Sequence, residues 1–207
     1  MIKLYDYELS GSCYKVRLLL NFLKLEWQPV PIDFLEKEQR SERFLALNPF
    51  GELPLLEDNE LRLRDAQAIL VYLASKYDAS GAWYPSDATS RGFIQQWLST
   101  AGNELMAVSA ARLVKAFHYP MDIALLQDKA RRVLRVMDAH LANREFFVAD
   151  HPTIADLACF PYAALAPEGG IDLAPFLHLV NWIVRMRRLP LFLPMPGIAP
   201  LNPVTAN

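Results

Sequence analysis

Over the first eighty positions, apolar residues recur with a period that alternates between strand and helix. The segment "IKLYDY" reads as a short buried strand. From Tyr14 the set Val16, Leu19, Leu20 and Leu23 follows i, i+3, i+4 and i+7, the stripe of an amphipathic helix. "WQPVPIDF" is a second extended segment, which its prolines hold open and assign to a sheet edge. "EKEQRSERFLALN" predicts a second, shorter helix, and a βαβ unit of this kind pairs its strands in parallel with a right-handed crossover. In "LPLLEDNELRLRD" two strand patterns flank Asp58-Asn59, a pair suited to a tight hairpin. Leu61 and Leu63 are expected to face the core there, and Arg62 and Arg64 solvent. "AQAILVYLASKY" then sets Ile69, Leu70, Leu73 and Tyr77 on one helical face. The order βαβαββα predicts a mixed four-stranded sheet covered by helices.

The grammar changes after "DASGAWYPSDA", where Gly81 and Pro85 interrupt the pattern. We divide the chain into an α/β domain over 1–78, a linker over 79–87 and an all-helical domain over 88–207. In the second domain "TSRGFIQQWLSTAGNELMAVSAARLVKAF" reads as one long helix. "MDIALLQDKARRVLRVMDAHLA" repeats Leu126, Ala130, Val133, Leu134, Met137 and Leu141 at helical spacing. "TIADLACFPYAAL" and "FLHLVNWIVRMRRL" supply two more helices, and the proline-rich "PLFLPMPGIAPLNPVTAN" is expected to lie as an extended strap with a fraying end.

Composition narrows the function classes. With 53% apolar and 21% charged residues the chain is an ordinary soluble globular protein. A net charge of −2 leaves no electrostatic footprint for nucleic acid or an anionic membrane. Lys3, Asp6 and Glu8 stand where a signal peptide needs an apolar core, and the longest apolar runs are too short to span a bilayer, so the cytoplasm is the expected compartment. Cys13 and Cys159 are the only cysteines, and His118, His140, His151 and His178 lack metal-ligand spacing, so no metal is expected.

Three stretches remain as carriers of chemistry. In "LNPFGELPLL", Leu53-Pro54 sits at a strand entry, where a cis proline would turn neighbouring backbone groups towards a ligand and a trans one would simply end a loop. In "RLRDAQAIL", Asp65 is placed as a helix N-cap, and the free amides of Ala66 and Gln67 offer a site for a carboxylate. In "SGSCYKV" a helix begins beside Ser10, Ser12 and Cys13; its free amides favour an anion by roughly 0.3–1 kcal/mol. A hydroxyl there can donate to a thiolate brought in by a ligand, a charge-assisted bond of about 1.5–3 kcal/mol, or one to two units of thiol pKa.

These pieces, in this order and with the linker and helical half, resemble the glutathione transferase superfamily over essentially the whole chain. "TIAD", Thr153 to Asp156, is similar to the capping box with which that family starts a helix of its second domain, a structural role. The resemblance implies a thioredoxin-like first domain and glutathione as co-substrate. "S-x-x-C" before "YKV" looks like the serine classes, especially the zeta and related bacterial groups. Aligned on Tyr14-Lys15-Val16, Ser10 would face the glutathione sulfur, with Ser12 as the alternative and Cys13 as helix packing. Leu53 would pair its backbone with the cysteinyl moiety beside cis-Pro54, Asp65 and Ala66 would hold the γ-glutamyl end, Lys37 would meet the glycyl carboxylate, and Glu104 would reach the partner subunit's glutathione.

One departure matters. The family commonly has serine where this chain has Ala66, so one hydrogen bond to a charged group is lost, roughly 10- to 150-fold in affinity unless water or Gln67 substitutes. Met106, Ala110, Phe117 and Tyr119 are candidates for the wall of a second-substrate site. The expectation is a cytosolic homodimeric glutathione transferase acting on a small, largely apolar electrophile. Glutathione-dependent isomerase, peroxidase or dehalogenase chemistry, or a non-catalytic glutathione-binding or regulatory protein, stand as alternatives.

Overall fold

The computed structural model describes residues 1–198. Its first domain runs β1 (Ile2–Asp6), α1 (Gly11–Phe22), β2 (Trp27–Pro31), a 3-10 turn (Glu38–Arg40), α2 (Glu42–Leu45), β3 (Leu55–Asp58), β4 (Leu61–Arg64) and α3 (Ala66–Tyr77). The strands form one sheet in the order β2-β1-β3-β4. β1 pairs in parallel with β2 and antiparallel with β3, so that Leu4 stands between Pro29 and Leu56. β2 is an edge, where Pro29 and Pro31 withhold no hydrogen bond from an outer neighbour. α1 and α3 pack side by side, and Leu4, Leu56, Val16, Leu19, Leu20, Ile69, Leu70 and Leu73 share their buried core. Ile32, Phe44 and Leu55 make a separate small cluster.

Three expectations are corrected here. The second helix is not continuous: Ser41 caps Phe44 N through its hydroxyl at 3.2 Å and starts a four-residue helix, while Lys37 turns left-handed (φ 59°) before the 3-10 turn. Leu61 does not face the core but is 38% exposed, and Leu63 is half-buried, because β4 is the outer strand of a short hairpin. The long helix of the second domain is two, α4 (Ala88–Gly102) and α5 (Met106–Phe117). At the break, Asn103 Nδ2 and Thr100 Oγ1 donate back to the carbonyls of Ser99 and Gln96, competing with the helical ladder.

The remaining helices are α6 (Ile123–Leu141), α7 (Ile154–Ala164) and α8 (Leu177–Arg187). α7 is buried on every side, packed against α1, α3 and α4. Its start is the expected capping box: Thr153 Oγ1 accepts from Ala155 N, and Asp156 Oδ2 accepts from Thr153 N at 2.9 Å. Asp156 also accepts from Phe147 N and from Trp182 Nε1 of α8. Burial pulls the Asp156 carboxyl up to about 6 against those bonds. Residues 189–198 form no helix or strand and lie against α1, where Leu193 O accepts from Tyr14 Oη and Leu191 O from Asn21 Nδ2. The predicted fraying end lies outside the described residues.

The hairpin is tied to α3 by one carboxylate. Asp58 Oδ2 accepts from Tyr72 Oη and Lys76 Nζ at 2.7 Å and from Tyr77 Oη at 2.5 Å. Burial alone would raise the Asp58 pKa, but the bonds from Lys76, Tyr77 and Tyr72 outweigh it and bring it down to about 2. A folded-state pKa below the unfolded one stabilises above about pH 4, and that contribution is lost as pH falls through about 2. Asp58→Asn is therefore expected to be less stable than the native chain by about 2 kcal/mol near neutrality, with the gap closing towards pH 2 in urea titrations.

Candidate active site at the domain junction

A cavity of about 590 Å³ lies where the two domains meet. The first domain supplies the turn before α1 (Tyr7, Leu9, Ser10, Gly11, Ser12), the loop after β2 (Phe34, Lys37, Gln39, Arg40), the loop before β3 (Gly51–Pro54) and the start of α3 (Asp65, Ala66, Gln67). The helical domain supplies Gly102, Met106, Ser109, Arg112, Leu113, Phe117, Tyr119 and Tyr162.

Ser10 is the N-cap of α1. Its Oγ accepts from Cys13 N at 3.2 Å, so the oxygen is held at the helix start, and the side chain lines the cavity. Asp65 caps α3 in the same manner, accepting from Ala68 N at 2.9 Å with a left-handed φ of 74°. The first intrahelical bond there is Ile69 N to Asp65 O, which leaves the amides of Ala66 and Gln67 before it. The Leu53-Pro54 peptide is cis. Asn48, buried, holds the loop that presents it: Nδ2 donates to Glu52 O and Oδ1 accepts from Phe50 N. Gly51 turns left-handed, with φ 58°, and a Cβ there would stand 2.8 Å from Gln39 O.

Of the predicted site residues, Ser10, Ser12, Lys37, Leu53, Pro54, Asp65 and Ala66 all line this cavity. Glu104 does not. It lies exposed on a separate groove of about 870 Å³ built by α4, α5 and α6 alone, and Ala110 also opens onto that groove. Met106, Phe117 and Tyr119 do reach the cavity, facing the stacked rings of Tyr7 and Phe34, whose centroids are 5.4 Å apart. Cys13 is fully buried and burial pushes its thiol up to about 12, so it is unreactive packing.

Three residues escaped the sequence reading. Arg17 of α1 donates through Nη1 to both Asp6 oxygens at 2.6 and 2.7 Å and to Tyr7 O, and through Nη2 to Glu8 O at 2.8 Å. Arg112 of α5 donates through Nη1 to Leu9 O at 2.6 Å and pairs with Glu168 through Nε. Tyr162 of α7 meets Ser12, its Oη 3.0 Å from Ser12 Oγ. The available signal was polarity out of place: an arginine inside "KVRLLL", another inside "SAARLV" and a phenol inside the apolar "ACFPYAAL".

Comparison with known proteins agrees with this architecture. Sequence models of the glutathione S-transferase N-terminal and C-terminal domains match residues 4–81 and 107–190. The chain is 29% identical over 214 residues to glutathione S-transferase 3 of Zea mays, spanning 98% of this chain and 96% of that protein. It is 32% identical over 167 residues to glutathione S-transferase 2 of Schizosaccharomyces pombe, spanning 77% and 73%. Among solved structures, a glutathione S-transferase from Pseudomonas fluorescens Pf-5 superposes with a TM-score of 0.89 at 30% identity, over 94% of this chain and 98% of that one. A thioredoxin-like domain with a mixed sheet, a cis proline at a capped junction and an all-helical partner domain define a glutathione-transferase fold. The chain belongs to the glutathione S-transferase family.

The turn that carries Ser10 rests on the Arg17–Asp6 pair, whose side chains are only 10% and 12% exposed. Arg17→Met is expected to lower the unfolding free energy by about 3 kcal/mol, because Asp6 is left without its counter-ion. Pairing it with Asp6→Asn should recover part of that loss, as read from a double-mutant cycle in urea.

Proposed function

We propose that the cavity holds glutathione and that Ser10 activates its thiol for attack on a small, largely apolar electrophile. One observation carries the assignment: a hydroxyl whose oxygen is pinned to a helix N-terminus, at the cavity, beside a cis proline and a second capped helix. In that setting a thiolate gains a charge-assisted hydrogen bond of about 1.5–3 kcal/mol. That draws a thiol from about 8.5 towards neutrality and multiplies the nucleophilic form at pH 7 tenfold or more.

The rest of the tripeptide follows the same chemistry. Leu53 offers backbone groups to the cysteinyl part, and the α3 amides of Ala66 and Gln67, beside Asp65, take the γ-glutamyl end. Lys37 stands with Arg40 at the end suited to the glycyl carboxylate. The electrophile then lies between the Tyr7–Phe34 stack and the Met106, Leu113, Phe117 and Tyr119 wall. The sulfur forms its bond to carbon there, and the electrophile releases a leaving group or takes up a proton. We take the working protein as a cytosolic homodimer of the serine type, each chain divided into 1–78, 79–87 and 88–207. No helix among the described residues is long and apolar enough to cross a membrane. Ala66, which is buried and brings no hydroxyl, is the observation that favours the second reading, a weakly binding or non-catalytic relative.

Ser10→Asp separates chemistry from folding, since aspartate caps a helix as well as serine but has no proton to donate. The variant is expected to keep the native melting temperature within a few degrees and to lose at least tenfold in kcat/KM with 1-chloro-2,4-dinitrobenzene. Unchanged turnover would remove Ser10 from the mechanism. Ala66→Ser is expected to tighten glutathione about tenfold in calorimetric titration. A native chain whose melting temperature does not respond to glutathione would support the non-catalytic reading instead.

A further inference from the structure

We propose that Tyr162, a residue of the helical domain, is a positioning residue for the reacting sulfur and acts through Ser12. The inference rests on the reading that the cavity binds glutathione. Tyr162 Oη lies 3.0 Å from Ser12 Oγ, and both residues line the cavity. A bond between two hydroxyls uses one of their two protons and leaves the other for a ligand.

One neighbour decides which proton is left. Lys15, on α1 one residue beyond Tyr14, is fully buried, and its Nζ has no hydrogen-bond partner among the described residues. Its Nζ instead stands 4.8 Å from the centroid of the Tyr162 ring. An ammonium over the face of a phenol draws electron density from it and makes the phenol the better donor. Burial brings the Lys15 amine down to about 8, so it still carries its charge at neutral pH. Tyr162 therefore donates to Ser12, and the Ser12 proton faces the cavity, strengthened because its oxygen already accepts.

The ring has no freedom to do otherwise. A Cβ added to Gly11 would stand 2.7 Å from Tyr162 Cε1, so the ring edge sits directly on the first turn of α1. Ser10 and Ser12 then bring two hydroxyl donors to one cavity, the second of them oriented across the domain junction. The thiol proton of glutathione leaves to solvent, and both hydroxyls keep theirs.

The test is the titration of bound glutathione, followed by the ultraviolet difference band of its thiolate, in the native chain, Tyr162→Phe, Ser12→Ala and the double variant. Tyr162→Phe is expected to reduce the thiolate fraction at pH 7 about three- to tenfold, and kcat with it, while KM for glutathione changes less than twofold. Ser12→Ala should have a similar effect, and the double variant should be no worse than the larger single one, since the two act in series. Gly11→Ala, which displaces the ring and keeps both hydroxyls, should shift the titration in the same direction. A Tyr162→Phe chain with a native thiolate titration, or independent multiplicative losses in the double variant, overturns the proposal. A native chain that shows no thiolate band with glutathione overturns the functional reading itself, and this inference falls with it.

Discussion

The carbonyls of Glu8 and Leu9 stand between the last bond of a strand and the first of a helix, at a junction neither ladder satisfies, while that of Tyr7 accepts from Ser10 N. Leaving such groups unpaired away from water costs about 1–3 kcal/mol each. Arg17 takes Glu8 O, with a longer contact to Tyr7 O, and Arg112 takes Leu9 O, reaching in from the other domain. Each guanidinium is in turn neutralised, by Asp6 and by Glu168. The position of Ser10 at the head of α1, the aim of its hydroxyl and the seating of Ser12 all follow from how that turn is held. Because one of the two arginines belongs to α5, the geometry of the turn that carries Ser10 is a property of both domains together.

Buried charge is handled in two ways in this fold. Asp58 and Asp156 sit at places where separate elements must meet, and each is surrounded by donors: Tyr72, Lys76 and Tyr77 for the first, Thr153, Phe147 and Trp182 for the second. These carboxylates act as junction pieces, fixing a hairpin to a helix and one helix to another. Lys15 is the exception, a buried amine with no hydrogen-bond partner among the described residues, which stands over an aromatic face and feels the charge of Asp65. Groups buried without full compensation are destabilising by themselves, and this one lies directly behind the cavity.

Much of this was legible in the sequence because period, caps and turn chemistry agree there. The strand-helix order, the edge position of the proline-bearing strand, the hairpin at Asp58-Asn59 and the caps at Asp65 and Thr153 are local properties, readable within a few residues. What was missed depends on distance in space. The break at Gly102-Asn103 lies inside an unbroken apolar period, and only the side chains of Thr100 and Asn103 turning back on the helix reveal it. Leu61 follows the strand alternation faithfully, yet the outer strand has nothing to cover it. Arg112 and Tyr162 are separated from the turn they serve by more than a hundred positions, and no periodicity connects them.

α7 has no polar face. All eleven of its residues are buried, packed against α1 and α3 of the other domain and against α4, α5 and α8 of its own. Swinging the domains apart would expose the side of α7 that meets α1 and α3, at about 25 cal/mol per Å² of apolar surface, which opposes a hinge motion. The loop carrying Phe34 and Lys37 and the end of α5, with Phe117 and Tyr119, line the cavity from opposite domains. Loops of this kind open and close locally, without disturbing the shared core. A product grown bulkier by the joining of two molecules has to leave by the same cavity its parts came in.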